Sequence, residues 1–244
     1  EKLKSRGGGT LVLKKGTYKV CSTLVIPSNV TIQLKSGAKL KKTYETGSSS
    51  LKPSKTLFKL ASKAKVYKGT KKVAIKGAKK ATIDLGKVNN ALAIDMGHNY
   101  NVSVSKIQFK GKKGGAYINI AGSKKVSVED CTFTNGQEKS GDKYKTAVTV
   151  NSLGATPGLN VKITSNTFQK LESGVASTKY KKEAYSTKVS IRKNTFTDMR
   201  DAAVIGKMWD EPVIKSNTVK RRDNTNATSS AVKLYSIKDP EESR

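Results

Sequence analysis

The chain has 244 residues, 48 Lys+Arg against 18 Asp+Glu, a formal net charge of +30, one His and two Cys. No run reaches the ~18–20 apolar residues of a membrane-spanning helix. A single histidine (His98) excludes a His-rich metal site, and two cysteines cannot build a thiolate zinc site.

Hydrophobic residues make up 35% of the chain, beside many β-branched residues and 20 glycines. That composition points to a thin, strand-rich core rather than to disorder. Forty-two lysines stand against six arginines. Lysine excess suits solubility or loose attraction to a polyanion, whereas sequence-reading nucleic-acid proteins lean on the arginine fork. Residues 1–6 are not a signal peptide and lack an initiator Met, which suggests a processed or trimmed chain.

Short apolar-alternating stretches come first, at residues 10–14, 24–27 and 30–34. Residues 43–70 then break the pattern with a Gly-Ser run, Lys52-Pro53 and a lone apolar patch, and read as one long excursion over a face. Two more stretches follow at 72–76 and 81–85.

From residue 101 the chain repeats itself. The copies are NVSVSKIQFK (101–110), KVSVEDCTFT (125–134), NVKITSNTFQ (160–169) and KVSIRKNTFT (188–197), with a degenerate PVIKSNTVK at 212–220. Each reads as an alternating strand, a polar corner and a second short strand. A third apolar-alternating stretch recurs at 91–96, 116–121, 146–151, 174–179, 202–207 and 230–235. The anchors Phe109, Phe133, Phe168, Phe196 and Val219 are spaced by 24, 35, 28 and 23 residues. A spacing with a floor and variable excess fits a coil of fixed circumference carrying loop insertions.

Three short strands per coil, with no helix-length segment between them, predict an all-β right-handed parallel β-helix. Length over spacing gives about nine or ten coils in one domain over residues 1–244. The repeat also assigns faces. Val161, Ile163, Phe168, Val189, Ile191 and Phe196 point inward, and Lys162, Ser190 and Arg192 outward. Asn166, Asn194 and Asn217 share one corner position, which Cys131 takes a coil earlier, and stacked amides there form a structural ladder. Cys21 lies about four coils from Cys131, on the order of 20 Å by strand spacing, so both thiols are free.

The stretch GGGTLVLKKGTYKVC (7–21), with TLVIPSNVTIQ at 23–33 and MGHNYNVSVSKIQFK at 96–110, resembles the first and later coils of the pectate-lyase superfamily. The resemblance covers nearly the whole chain. It implies the β-helix fold, a secreted or cell-surface location and a groove along one sheet that takes polysaccharide. That fold carries lyases, hydrolases, tailspikes and adhesins alike. The family's amphipathic cap is represented only by residues 1–6, so a missing or truncated cap is expected. The Asn-Thr-Asp, Asp-Asp, Gly-His-Gly and Arg-Ile-Lys motifs of the polygalacturonase branch are absent, which disfavours hydrolysis by paired carboxylates.

Alternation on the sheet that would carry the groove places Asp95, Tyr117, Asn119, Thr149, Asn151, Thr178, Ile205, Lys207, Lys233 and Tyr235 outward. His98, Lys179, Tyr180 and Trp209 come just past strand ends. For β-elimination on a uronate the candidates are Lys179 or Lys207 as base and Tyr180 as proton donor. Substrate contacts are expected from Asp95, His98, Tyr117, Asn119, Asn151, Thr178, Trp209, Lys233 and Tyr235. His98 is placed to meet the Asp95 carboxylate around a bend, and Trp209 either forms a sugar platform or roofs a coil corner.

Calcium would need clustered acids, and Glu129-Asp130, Asp198 with Asp201, and Asp210-Glu211 are the local pairs; no metal ligands are assigned. The partner expected is an acidic polysaccharide or other polyanion, with no specific nucleic acid. A non-catalytic adhesin, polysaccharide-binding or fibre-forming protein is the alternative to an enzyme. Lysines crowded along the Asp95-to-Tyr235 row would mark a binding surface, and an even spread would mark solubility.

Overall fold

A computed structural model describes residues 2–44, 53–61, 63–112, 114–134, 136, 144–178, 184–220 and 231–235. The chain winds as a right-handed parallel β-helix. Each coil contributes one strand to each of three parallel sheets, called A, B and C in the order the chain visits them. Sheet A runs from Gly9–Leu13 to Trp209–Asp210 and Val213–Lys215, sheet B from Gly16–Val20 to Thr218–Lys220, and sheet C from Leu24–Val25 to Val232–Tyr235.

Eight coils are complete among the described residues, fewer than the nine to ten expected. Long connections, such as that between Ala38–Lys42 and Thr56–Lys59, consume chain without adding coils. Thr56–Lys59 itself pairs with Leu24–Val25 and Leu92–Gly97 in sheet C. The expected excursion over 43–70 is therefore two connections on either side of a sheet strand; its apolar patch, Leu57, Phe58 and Leu60, is core.

The inside of the coil is built from the repeat. Phe109, Phe133, Phe168 and Phe196 lie in register in sheet B with ring centroids 4.8, 5.1 and 4.7 Å apart and rings within 7° of parallel. Val161, Ile163, Val189 and Ile191 complete the same coils from sheet A, all without exposure. Parallel in-register pairing brings each side chain over its counterpart one coil away, so equivalent positions hold like residues.

The A–B corner carries the asparagine ladder. Cys131 N donates to Asn166 Oδ1, Asn166 N to Asn194 Oδ1, and Asn194 N to Asn217 Oδ1, each at 2.9 Å. Each amide nitrogen donates to a strand carbonyl one coil back, at Val128, Ile163 and Ile191. Along coils five to eight the ladder thereby gives a corner N–H and a strand carbonyl of each coil a partner inside the protein. Asn194→Leu leaves the Asn166 N–H and the Ile163 carbonyl buried without partners. A loss of about 3 kcal/mol in unfolding free energy is expected, read from the urea midpoint; a loss below about 1 kcal/mol would show that water replaces the amide.

Cys21 and Cys131 are both buried and unpaired, four coils apart. Burial pushes the Cys131 thiol up to about 12. The N-terminal segment forms a four-residue helix, Lys2–Ser5, whose Leu3 packs against the core. No helix among the described residues is long and apolar enough to cross a membrane.

Candidate functional site

Sheet C carries a cleft lined by amides, hydroxyls and small apolar groups. Register aligns Lys59, Asp95, Asn119, Thr149, Ala176, Ile205 and Lys233 in one outward row. A second row, two residues further along each strand, aligns Gly97, Ala121 and Asn151, with Lys207 facing Tyr235 near its end. Over the middle coils these rows floor a cleft of about 540 Å³. Its floor is Asn119, Thr149, Asn151 and Thr178, with Asn90, Gly115 and Tyr144 on the B–C side and Ser152 and Leu153 on the C–A side.

The floor is wired together. Asn119 Nδ2 donates to Asp95 Oδ1 at 2.9 Å, and Thr149 Oγ1 donates to Asn119 Oδ1 at 2.9 Å. Thr178 N and Ser177 Oγ donate to Asn151 Oδ1, and Asn151 Nδ2 donates to Thr178 Oγ1 at 3.3 Å. These bonds fix which way each amide faces, which pre-orders the floor before any ligand arrives.

Two buried lysines tie successive B–C corners together, one of them beside the cleft wall. Lys145, beside Tyr144, is without exposure; its ammonium donates to the carbonyls of Ala91 and Gly114 and sits 5.3 Å from the Tyr117 ring. It thereby ties together three successive B–C corners, and burial pulls it down to about 7. Lys42 plays the same part near the N-terminus, donating to Cys21 O, Ser22 O and Ser54 Oγ.

Outside this wall the Arg200 guanidinium stacks 4.5 Å from the Tyr144 ring and pairs with Glu172 at 3.8 Å. Burial pushes Glu172 up, opposed by Arg200 and assisted by Asp201. On the opposite side, Leu153 bridges to Thr156 over Gly122, and Tyr67 Oη donates to Pro157 O. Asn99, fully buried, donates to Leu60 O and Thr70 O and so closes the base of the preceding connection.

The predicted residues divide. Asp95, Asn119, Asn151 and Thr178 come together on or beside the floor, with Thr149. Tyr117 does not: it faces inward against Phe109 and Phe133, with its one Oη–H shared between the Gly111 and Thr134 carbonyls, each at 2.8 Å. The chain bends where it enters sheet C, so Tyr117 and Ile118 are both buried and strand alternation starts only after them. That burial also holds the Tyr117 phenol well above its ordinary range.

His98 does not meet Asp95. It turns away across the C–A corner at a φ of 57°, its Nδ1 buried without a partner, while Asp95 receives Asn119. Trp209 roofs a coil corner, its indole N–H donating to Val150 O at 3.2 Å, and is partly buried against the core. Lys207 lies beyond the cleft with Nζ 5.1 Å from the Tyr235 ring, and Lys233 is ion-paired with Asp201, which holds its ammonium above the ordinary lysine range. Lys179 and Tyr180 lie outside the described residues. The sequence reading missed Asn90, Tyr144, Ser152 and Leu153, all from connections without periodicity.

None of the residues lining the cleft is charged. Sheet C strands carry Lys59, Lys207 and Lys233 at the ends of the solenoid and no lysine in the middle coils. Most of the exposed lysines among the described residues lie instead on sheets A and B and at the corners between sheets. No group of three or more His, Cys, Asp or Glu side chains converges among the described residues.

No protein-family model and no curated protein matches this chain. Solved structures do. The surface adhesin PfbA of Streptococcus pneumoniae superposes in two structures with TM-scores of 0.74 and 0.76 at 20% and 21% identity, over 97% of this chain and 67% and 63% of those chains. A tailspike protein mutant of E. coli bacteriophage HK620, in complex with a pentasaccharide, superposes with a TM-score of 0.65 at 14% identity over 93% of this chain and 47% of that one. At these identities the likeness is one of fold. The chain spans about two thirds of the adhesin chains and under half of the tailspike chain.

Proposed function

We propose that the sheet C cleft binds a stretch of uncharged glycan without cleaving it, in a β-helix that serves as a cell-surface or extracellular adhesive module. The observation that carries this reading is the lining: fixed amides and hydroxyls on the floor, one aromatic ring on the wall, and no charged side chain. Amides and hydroxyls match the donors and acceptors of sugar hydroxyls, and an aromatic face stacks on the apolar face of a pyranose. The names of the similar folds, a surface adhesin and a tailspike in complex with a pentasaccharide, agree with it.

The enzymatic reading asks for more than the cleft offers. Neutralising a uronate carboxylate needs a cation at the floor, and proton abstraction needs an uncharged base within reach. Of the two lysines expected as base, the described one, Lys207, lies outside the lining with its Nζ 5.1 Å from the Tyr235 ring.

The test is a glycan-array screen followed by titration of the best neutral oligosaccharide. Tyr144→Ala is expected to weaken binding about tenfold, the usual worth of one aromatic anchor, with the urea midpoint little changed. Release of unsaturated or reducing products from any bound polymer would replace this reading with the enzymatic one. Retention of full affinity by Tyr144→Ala would move the site elsewhere.

A further inference from the structure

The cleft faces away from a run of lysines. The A–B corner, opposite sheet C in a three-sided coil, presents Lys14 and Lys15 in the first coil, Lys35 in the second, Lys79 and Lys80 in the third and Lys106 in the fourth. All six are exposed. The corners stack directly: Lys35 N donates to Leu13 O, Ala78 N to Leu34 O, and the Lys15 stem lies against Gly37. The strip stops at the fifth coil, where the same corner holds exposed Glu129 and Asp130.

Among the described residues no acid of the first four coils pairs with this strip. In residues 2–112 the described acids are Asp84 and Asp95; Lys39 already holds Asp84 at 2.8 Å, and Asp95 is engaged by Asn119 on the far face. None of the six lysines forms an ion pair among the described residues. Like charges on adjacent strands about 4.8 Å apart repel, and each such contact costs stability. Solubility alone is served as well by scattered charges of both signs.

We propose that the A–B corner of the first four coils is a docking edge for a linear acidic polysaccharide lying along the solenoid axis. A polyuronate carries one carboxylate on each sugar, so a chain lying along the corner sets a row of anions beside the row of ammonium groups. The cations are all lysines, point charges without the bidentate fork that reads phosphate and guanine. None of the six positions is aromatic, as base stacking on single-stranded nucleic acid would require. The edge and the cleft are separate surfaces, so the protein holds a charged polymer behind and leaves the neutral cleft open.

The probe is fluorescent polygalacturonate, titrated at about 0.15 M salt, where loose long-range attraction is screened. A five-fold variant, Lys14→Gln, Lys15→Gln, Lys35→Gln, Lys80→Gln and Lys106→Gln, is compared with Lys162→Gln, Lys170→Gln, Lys188→Gln, Lys215→Gln and Lys220→Gln, which removes the same charge from coils six to eight. The corner variant is expected to lose affinity at least about tenfold and the control under about threefold. Equal losses in both would reduce the edge to net charge, and absence of binding by the unmodified protein would also overturn it. Tighter binding of a duplex DNA fragment than of polygalacturonate would overturn the choice of polymer. Tyr144→Ala, which leaves all six corner lysines in place, is expected to bind polygalacturonate unchanged, so failure of the edge and failure of the cleft give different results.

Discussion

Phe168→Ala is expected to lower the unfolding free energy by about 4 kcal/mol, within the range for deleting a fully buried aromatic ring. Phe168 has no exposure and is stacked on both faces, 5.1 Å from Phe133 and 4.7 Å from Phe196. Its removal forfeits the transfer free energy, two ring–ring contacts and the dispersion of a filled interior. The void cannot readily close, because the coil that would have to shrink is hydrogen-bonded on both sides at fixed register. Urea unfolding followed through the single Trp, Trp209, measures the change. A loss under about 2 kcal/mol would mean that neighbouring coils do collapse into the space.

Lys145 makes stability rise with pH. Its folded value is pulled by burial to about 7, against an unfolded value of about 10.4. Below pH 7 both states carry the proton, and the folded state bears the full cost of a buried ammonium. Between about pH 7 and 10.4 the unfolded chain binds a proton that the folded protein has released, so unfolding free energy increases with pH. The increase is at most on the order of 4 kcal/mol across that window. Above it both states are neutral and the slope vanishes.

Lys145→Met removes this titration and leaves the carbonyls of Ala91 and Gly114 without their donor, at about 1–3 kcal/mol each. The variant is therefore expected to fall furthest below the parent protein near pH 10, with the gap narrowing toward pH 6. Relief of general positive repulsion raises both curves alike, so the comparison isolates the one group. Parallel curves for the two proteins would sink the assignment.

What the amino-acid order revealed was whatever repeats at strand period. The phenylalanine stack, the asparagine ladder and the two distant free thiols follow from aligning four copies of one motif. Two kinds of feature escaped. Tyr117 was placed outward because alternation was carried back through a bend, where the chain rotates and two consecutive side chains turn inward. The cleft walls come from connections whose residues, Tyr144, Ser152 and Leu153, obey no period and are placed by three-dimensional closure alone.

Corner geometry was hidden for a different reason. Lys106 and Lys193 at A–B corners adopt φ near 55–57°, as do Lys72, Lys125 and Lys188 near the start of sheet A strands, a region where glycine or asparagine is the usual marker. A lysine there gives no warning of a turn. Lysines do not gather along the Asp95-to-Tyr235 row, and they are not spread evenly; they avoid the middle of sheet C and concentrate on the faces behind it.

Lys145 also bears on how the solenoid carries a load. The hydrogen bonds between coils point along the axis, so tension applied end to end falls on one inter-coil ladder at a time, and coils would peel off singly rather than shear together. An ammonium at the fifth coil that grips carbonyls in the third and fourth places a rivet through two such seams. Tension reaching those coils must open both seams at once, which makes the stretch beneath the cleft the part of the rod that yields last.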